Sequence, residues 1–221
     1  MHCQRRRPLR SDMRVQDNSA LTIVGTAVAL MLAAGTAAPA KSHTALEASD
    51  ASVTAAPVAP RYLLMGTNGR SVTSEDFRGR FQLIAFGFVS CPDVCPTTLL
   101  EMSQVLAALD KRAQYLQPIF ITIDPQRDTA QVLGAYTQAF DARILGLTGP
   151  LNLVRRAADN FKVQFAKVQE PGANPNVYTM DHTAGMFLLG PDGVLVAKFG
   201  YGAPVAEITE RIQYWLNLTG K

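Results

Sequence analysis

Cys91 and Cys95 stand four residues apart in the run Phe88-Val89-Ser90-Cys91-Pro92-Asp93-Val94-Cys95-Pro96, and His182 follows far downstream in Met180-Asp181-His182. The chain has three cysteines, and two of them fall here. Two thiolates and one imidazole make a soft donor set. Thiolates select Cu(I), zinc or iron–sulfur clusters, and imidazole suits copper or zinc. Cu(I) can be held by three such donors in trigonal geometry. Zinc normally takes a fourth ligand. No third cysteine or second histidine is at hand in the globular part, because Cys3, His2 and His43 all precede it. An iron–sulfur cluster is likewise short of cysteines. The same two thiols can instead close a disulfide. The constellation therefore offers metal binding, thiol–disulfide chemistry, or both.

The flanking pattern predicts how these residues are positioned. Phe81 to Val89 is nearly all apolar, as a strand covered on both faces would be. Pro96 suits the first turn of a helix, which starts at or just after Cys95 and runs on through Leu99, Leu100, Met102, Val105, Leu106 and Leu109. Cys91 then lies on the strand-to-helix loop and Cys95 at the positive end of the helix, where a thiolate is stabilised and its pKa lowered. Positions four apart in a helical turn are about 5–6 Å apart at Cβ, so small rotations allow either an S–S bond or two sulfur ligands on one metal. Pro92 and Pro96 restrict the backbone and remove two amide donors. Three intervening residues make this loop wider than C-x-x-C and ease chelation.

Further elements follow in alternation. Leu116 to Ile123 reads as a strand, and Asp128 as the cap of a helix through Val132, Leu133, Tyr136 and Phe140. Residues 144–147 form a short strand, 151–161 a helix, 163–168 an extended segment and 169–177 a loop. Strands over 183–189 and 194–199 flank Gly190-Pro191-Asp192-Gly193, a hairpin signal. Ile208, Ile212, Trp215 and Leu216 line a last helix. The order predicts an α/β, thioredoxin-like domain, a central mixed sheet flanked by helices. His182 would stand at a strand start, Asp124 at a strand end, where open α/β sheets place sites.

The formal net charge of +3 misleads, because residues 1–19 carry five arginines against two aspartates and the rest balances. No basic face for nucleic acid remains. Residues 20–38 are uncharged and mildly apolar, and about 20 such residues suffice to cross a bilayer. The arginines ahead place the N-terminus in the cytoplasm, and Ala38-Pro39-Ala40 offers a signal-peptidase site. The expected organisation is a basic leader over 1–19, a transmembrane anchor or signal-peptide segment over 20–38, a flexible Ala/Pro/Ser/Thr linker over 39–59, and one domain over 60–221. That domain would be anchored in the inner membrane facing the periplasm, or exported to it, where a disulfide can persist.

Plainer readings compete residue by residue. A cysteine pair can be a structural disulfide, a lone histidine is usually structural, Asp124 can be a turn residue, and Asp93 a loop cap. Taken in order, however, Gly87-Phe88 with Cys91-Pro92-Asp93-Val94-Cys95-Pro96, Asp124-Pro125 with Arg127-Asp128-Thr129, Gly146-Leu147-Thr148-Gly149, and Asp181-His182-Thr183 before Gly190-Pro191-Asp192-Gly193 resemble the Sco/SenC family of copper chaperones for cytochrome c oxidase assembly. The resemblance spans roughly residues 60–217. It implies a thioredoxin-like fold, one copper, Cu(I) or Cu(II), on Cys91, Cys95 and His182, and an auxiliary role for Asp124. It implies delivery to the dinuclear copper centre of cytochrome c oxidase subunit II, with an upstream copper donor and a thiol reductant as further partners. The rival is a periplasmic thiol–disulfide oxidoreductase acting on cysteines of subunit II or other exported proteins, with Cys91 and Cys95 as its redox-active pair and no need of His182. Thioredoxin-type reductases place a proline before the strand facing the cysteines, where this chain has Thr179-Met180-Asp181. A peroxidase would need an activated peroxidatic thiol.

Overall fold

The computed structural model describes residues 59–172, 174 and 177–221. The expected leader, the apolar segment and all but the end of the linker lie outside the described residues. Among those described, no helix is long and apolar enough to cross a membrane.

The strand predicted from the apolar run is the centre of the molecule. β3 (Phe81–Gly87) is buried along its whole length. It pairs parallel with β4 (Leu116–Thr122) and antiparallel with β8 (Met186–Leu189). A strand so enclosed has no polar face to offer, which is why its sequence does not alternate. β1 (Leu63–Gly66), β2 (Ser71–Thr73), β5 (Leu145–Thr148) and β9 (Leu195–Phe199) complete a seven-stranded mixed sheet in the order β2-β1-β5-β4-β3-β8-β9. The helices are α1 (Val94–Leu109), α2 (Ala130–Phe140), α3 (Leu151–Phe161) and α4 (Val205–Leu218). α1 packs against α4, α2 against β5 and α3 against β1. Phe86 of β3, Phe161 of α3 and Phe187 of β8 meet with ring centroids 5.3–6.2 Å apart. Each buried ring of this kind is worth about 1.5–3 kcal/mol of transfer free energy.

The sequence reading needs three adjustments. The extended segment at 163–168 holds, as the strand β6 (Phe165–Val168), but it pairs antiparallel with an unforeseen strand, β7 (Thr179–His182), in a separate two-stranded sheet. His182 therefore ends β7 rather than opening the hairpin strand, which begins only at Met186. Between them Gly185 has φ +128°, and a Cβ there would lie 2.4 Å from the Phe199 carbonyl oxygen, so the turn admits only glycine.

The third correction concerns Asp128. The cap of α2 is Thr129, whose hydroxyl accepts from the Val132 amide at 3.3 Å. Asp128 is buried, 1% exposed. Its carboxylate accepts from the Thr122 hydroxyl at 2.6 Å and from the Val89 amide at 3.0 Å. Its carbonyl accepts from the Thr148 hydroxyl at 3.1 Å. One residue, through its carboxylate and its carbonyl, thus ties the ends of β4 and β5 to the loop that carries Cys91. Burial, outweighing those two bonds, raises its carboxyl above the ordinary 3.8.

Asp128→Ala would leave two buried donors without acceptors and should cost roughly 2–4 kcal/mol in urea unfolding. The raised carboxyl also gives a sign. The folded state holds that proton more tightly than the unfolded chain, so the associated stability is complete below 3.8 and is lost as pH rises through the folded value. The stability difference between wild type and Asp128→Asn, whose amide does not titrate, should shift toward the variant as pH rises through that range.

Candidate metal centre

The site begins where β3 ends. Gly87 has no side chain, and the Cys95 sulfur occupies the vacant volume: a Cβ on Gly87 would lie 2.6 Å from Cys95 Sγ and 2.8 Å from the Phe120 ring. α1 starts at Val94, so Cys95 sits inside its first turn. Asp93 holds the cap position without a side-chain capping bond and is exposed, which leaves it outside the site. The Phe88 amide donates to Cys95 Sγ at 3.4 Å, and the Cys95 amide donates to Cys91 Sγ at 3.4 Å. Two backbone amides therefore point at two sulfurs. Both cysteines are free thiols, Cys95 buried and Cys91 half-buried.

His182 arrives from β7. Its Nε2 lies 4.0 Å from Cys95 Sγ, across 87 residues of chain. Its Nδ1 is 3.0 Å from the Thr183 carbonyl oxygen. A carbonyl only accepts, so that nitrogen carries a proton, and in the neutral ring this leaves the Nε2 lone pair on the sulfur side. Phe88 meets the imidazole edge to face at 6.1 Å between centroids. The ring is held from its far nitrogen and from one side.

Position at a helix start was expected to lower the Cys95 pKa. It does not. Burial raises it, and the bond from the Phe88 amide opposes this only in part. A thiol sealed this far from water keeps its proton until something replaces it.

The donors suit a soft monovalent ion. Bonds of the lengths zinc makes, about 2.3 Å to sulfur and 2.0 Å to nitrogen, would put the two atoms about 3.7 Å apart if opened to 120°. The Cys95–His182 separation of 4.0 Å is close to that span. Among the described residues no three of histidine, cysteine, aspartate and glutamate are yet gathered as a metal-holding group.

Asp124 lies apart from the sulfurs. It is 4% exposed and forms an ion pair with Arg127. The Tyr178 hydroxyl donates to its two carboxylate oxygens at 2.9 and 3.2 Å. Arg127 was visible in the sequence only as part of a motif. Tyr178, in a loop with no periodicity, gave no sign at all.

The SCO1/SenC family model matches residues 50–217. The SCO2-like protein of Rickettsia felis is 38% identical over 147 residues, covering 66% of this chain and 71% of that protein. The structure of Bradyrhizobium japonicum ScoI with copper bound is 35% identical, with a TM-score of 0.65, and covers 72% of this chain and 99% of the other. Yeast Sco1 with copper bound is 34% identical, with a TM-score of 0.62, over 71% of this chain and 89% of the other. With the family's model matched over most of the domain that carries both thiols and the imidazole, this chain belongs to the SCO1/SenC family.

Proposed function

We propose that the protein is a copper metallochaperone whose cargo is one Cu(I), held by Cys91, Cys95 and His182, and whose recipient is the dinuclear centre of cytochrome c oxidase subunit II. The observation that carries this reading is the approach of His182 Nε2 to Cys95 Sγ, 4.0 Å between atoms 87 residues apart. A disulfide exchanger has no use for that imidazole. Relatives in Bradyrhizobium japonicum and yeast have copper-bound structures, and Sco-family proteins take part in copper delivery to cytochrome c oxidase.

Cysteine redox state would gate the cargo. Loss of two electrons from the two copper-bound thiolates to an external oxidant, such as a partner disulfide, joins the sulfurs as a Cys91–Cys95 disulfide and releases Cu(I), so loading requires the reduced pair. A thiol reductant and an upstream copper donor are then needed partners. The uncharged stretch at 20–38 behind five arginines supports anchorage in the inner membrane with the domain facing the periplasm, or export to it. A second reading, thiol–disulfide reductase, draws on the half-buried Cys91 above the buried Cys95. In it Cys91 attacks a partner disulfide and Cys95 resolves the mixed disulfide.

Titration of the reduced chain with Cu(I) against a competing chelator should give one tight equivalent. Cys91→Ser or Cys95→Ser should abolish it. His182→Ala should weaken it on the order of a hundredfold or more, since even the outer partners of a metal ligand are worth about 10–100-fold. Unchanged affinity in His182→Ala, with rapid reduction of a partner disulfide retained, would favour the reductase. Gly87→Ala tests the seat of the sulfur. Its methyl group would collide with Cys95 Sγ and the Phe120 ring. It should cost about 1–3 kcal/mol of stability and lower Cu(I) affinity while both thiols still react with a thiol reagent in the unfolded chain.

A further inference from the structure

His182 rides on β7, and among the described residues β7 pairs only with β6. A two-stranded sheet is marginal in water without other support, so the imidazole's position depends on what fastens this arm to the body; Phe165 of β6 and Met180 of β7 pack against the core, and the polar contacts at the ends of the arm add to that. At the end near His182 the arm is closed by the Thr183 amide donating to the Gln164 carbonyl at 2.9 Å. At the other end stands Tyr178, the residue before β7. Its hydroxyl donates to both oxygens of Asp124, and its carbonyl accepts from Arg127 Nη1 at 2.9 Å. The Arg127 guanidinium lies 3.8 Å over its ring and is ion-paired with Asp124.

The far side of this strap is rigid. The Asp124 amide donates to the Thr122 hydroxyl at 2.9 Å, and its carbonyl accepts from the Asp128 amide at 2.9 Å. Arg127 also lies 5.8 Å from the Phe88 ring centroid, and Phe88 is the residue whose amide bonds Cys95 and whose ring meets His182. The contacts form a closed circuit from sulfur to imidazole through Phe88, Arg127 and Tyr178. Bonds to buried charged groups are stronger than neutral ones, so this fastening suits a load-carrying point.

We propose that Tyr178, strapped to Asp124 and Arg127, is a positioning residue that sets the His182 imidazole against Cys95 and so governs Cu(I) affinity without touching the metal. The proposal rests on Cys91, Cys95 and His182 as the ligand set. With the strap cut, a smaller fraction of molecules presents the histidine, and the apparent dissociation constant rises by the inverse of that fraction.

The test is a cycle of Tyr178→Phe, His182→Ala and the double variant, made in the full reduced chain. Cu(I) affinity is read by chelator competition and, in the metal-free protein, backbone amide exchange by NMR. Tyr178→Phe should weaken Cu(I) binding about tenfold, as loss of a hydrogen bond to a charged group does. In the His182→Ala background it should change affinity by no more than about twofold. The Thr183 amide should exchange faster while the Ile121 amide in β4 does not. Arg127→Lys, which keeps the charge but loses the fork, should act in the same direction. An equal loss in both backgrounds, or no loss in either, overturns the proposal. If the wild-type chain binds no Cu(I) tightly, the copper reading fails instead, and an unchanged Thr183 exchange rate in Tyr178→Phe then refutes the strap by itself.

Discussion

The Cys95 sulfur lies 2.6 Å from where a β-carbon at position 87 would be, too close for any residue but glycine, and the site is built outward from that contact. The end of β3 can approach the first turn of α1 only because Gly87 is bare. Once the sulfur is seated there, the Phe88 amide is directed at it, the Cys95 amide is directed at Cys91, and the Phe88 ring is turned toward the imidazole. The fully buried strand is what makes this seat firm, since close-packed interiors do not yield to a displaced atom.

Burial also sets the chemistry. Desolvation holds the Cys95 thiol protonated more strongly than the helix start can acidify it. The number of donors bears on the metal: two thiols, one imidazole and no further cysteine or histidine among the described residues suit Cu(I) better than zinc, which normally takes a fourth ligand. Of the two thiols Cys91 is the less buried.

The sequence was most legible where a single force dominates. The apolar run at 81–89 and the helix at 151–161 were read directly, because burial on both faces or along one helical stripe leaves a periodic record. The three candidate donors could be singled out from chemistry alone: two thiols, one imidazole, and too few of either for zinc or a cluster. What escaped depends on contacts distant in sequence. Thr179-Met180-Asp181-His182 carries no apolar run, and its strand exists only through pairing with residues 165–168. Asp128 and Thr129 are both able to cap a helix. The extended backbone at Thr129, φ −61° and ψ 163°, decides in its favour, which frees Asp128 to anchor the cysteine loop. Tyr178 reaches Asp124 across 54 residues, beyond any local pattern.

These differences in fastening have a functional reading. The sulfurs belong to the main sheet and the helix packed on it, and to move Cys95 means breaking the core. The imidazole belongs to a ribbon outside that sheet, held by the packing of Phe165 and Met180 on the core and by the polar bonds of Tyr178. Segments that bind and release are drawn from the less stable parts of a fold. On the proposed reading as a copper carrier, the site needs strong donors to acquire its ion and one donor able to leave so that the ion can be passed on, and His182 is the donor carried outside the main sheet.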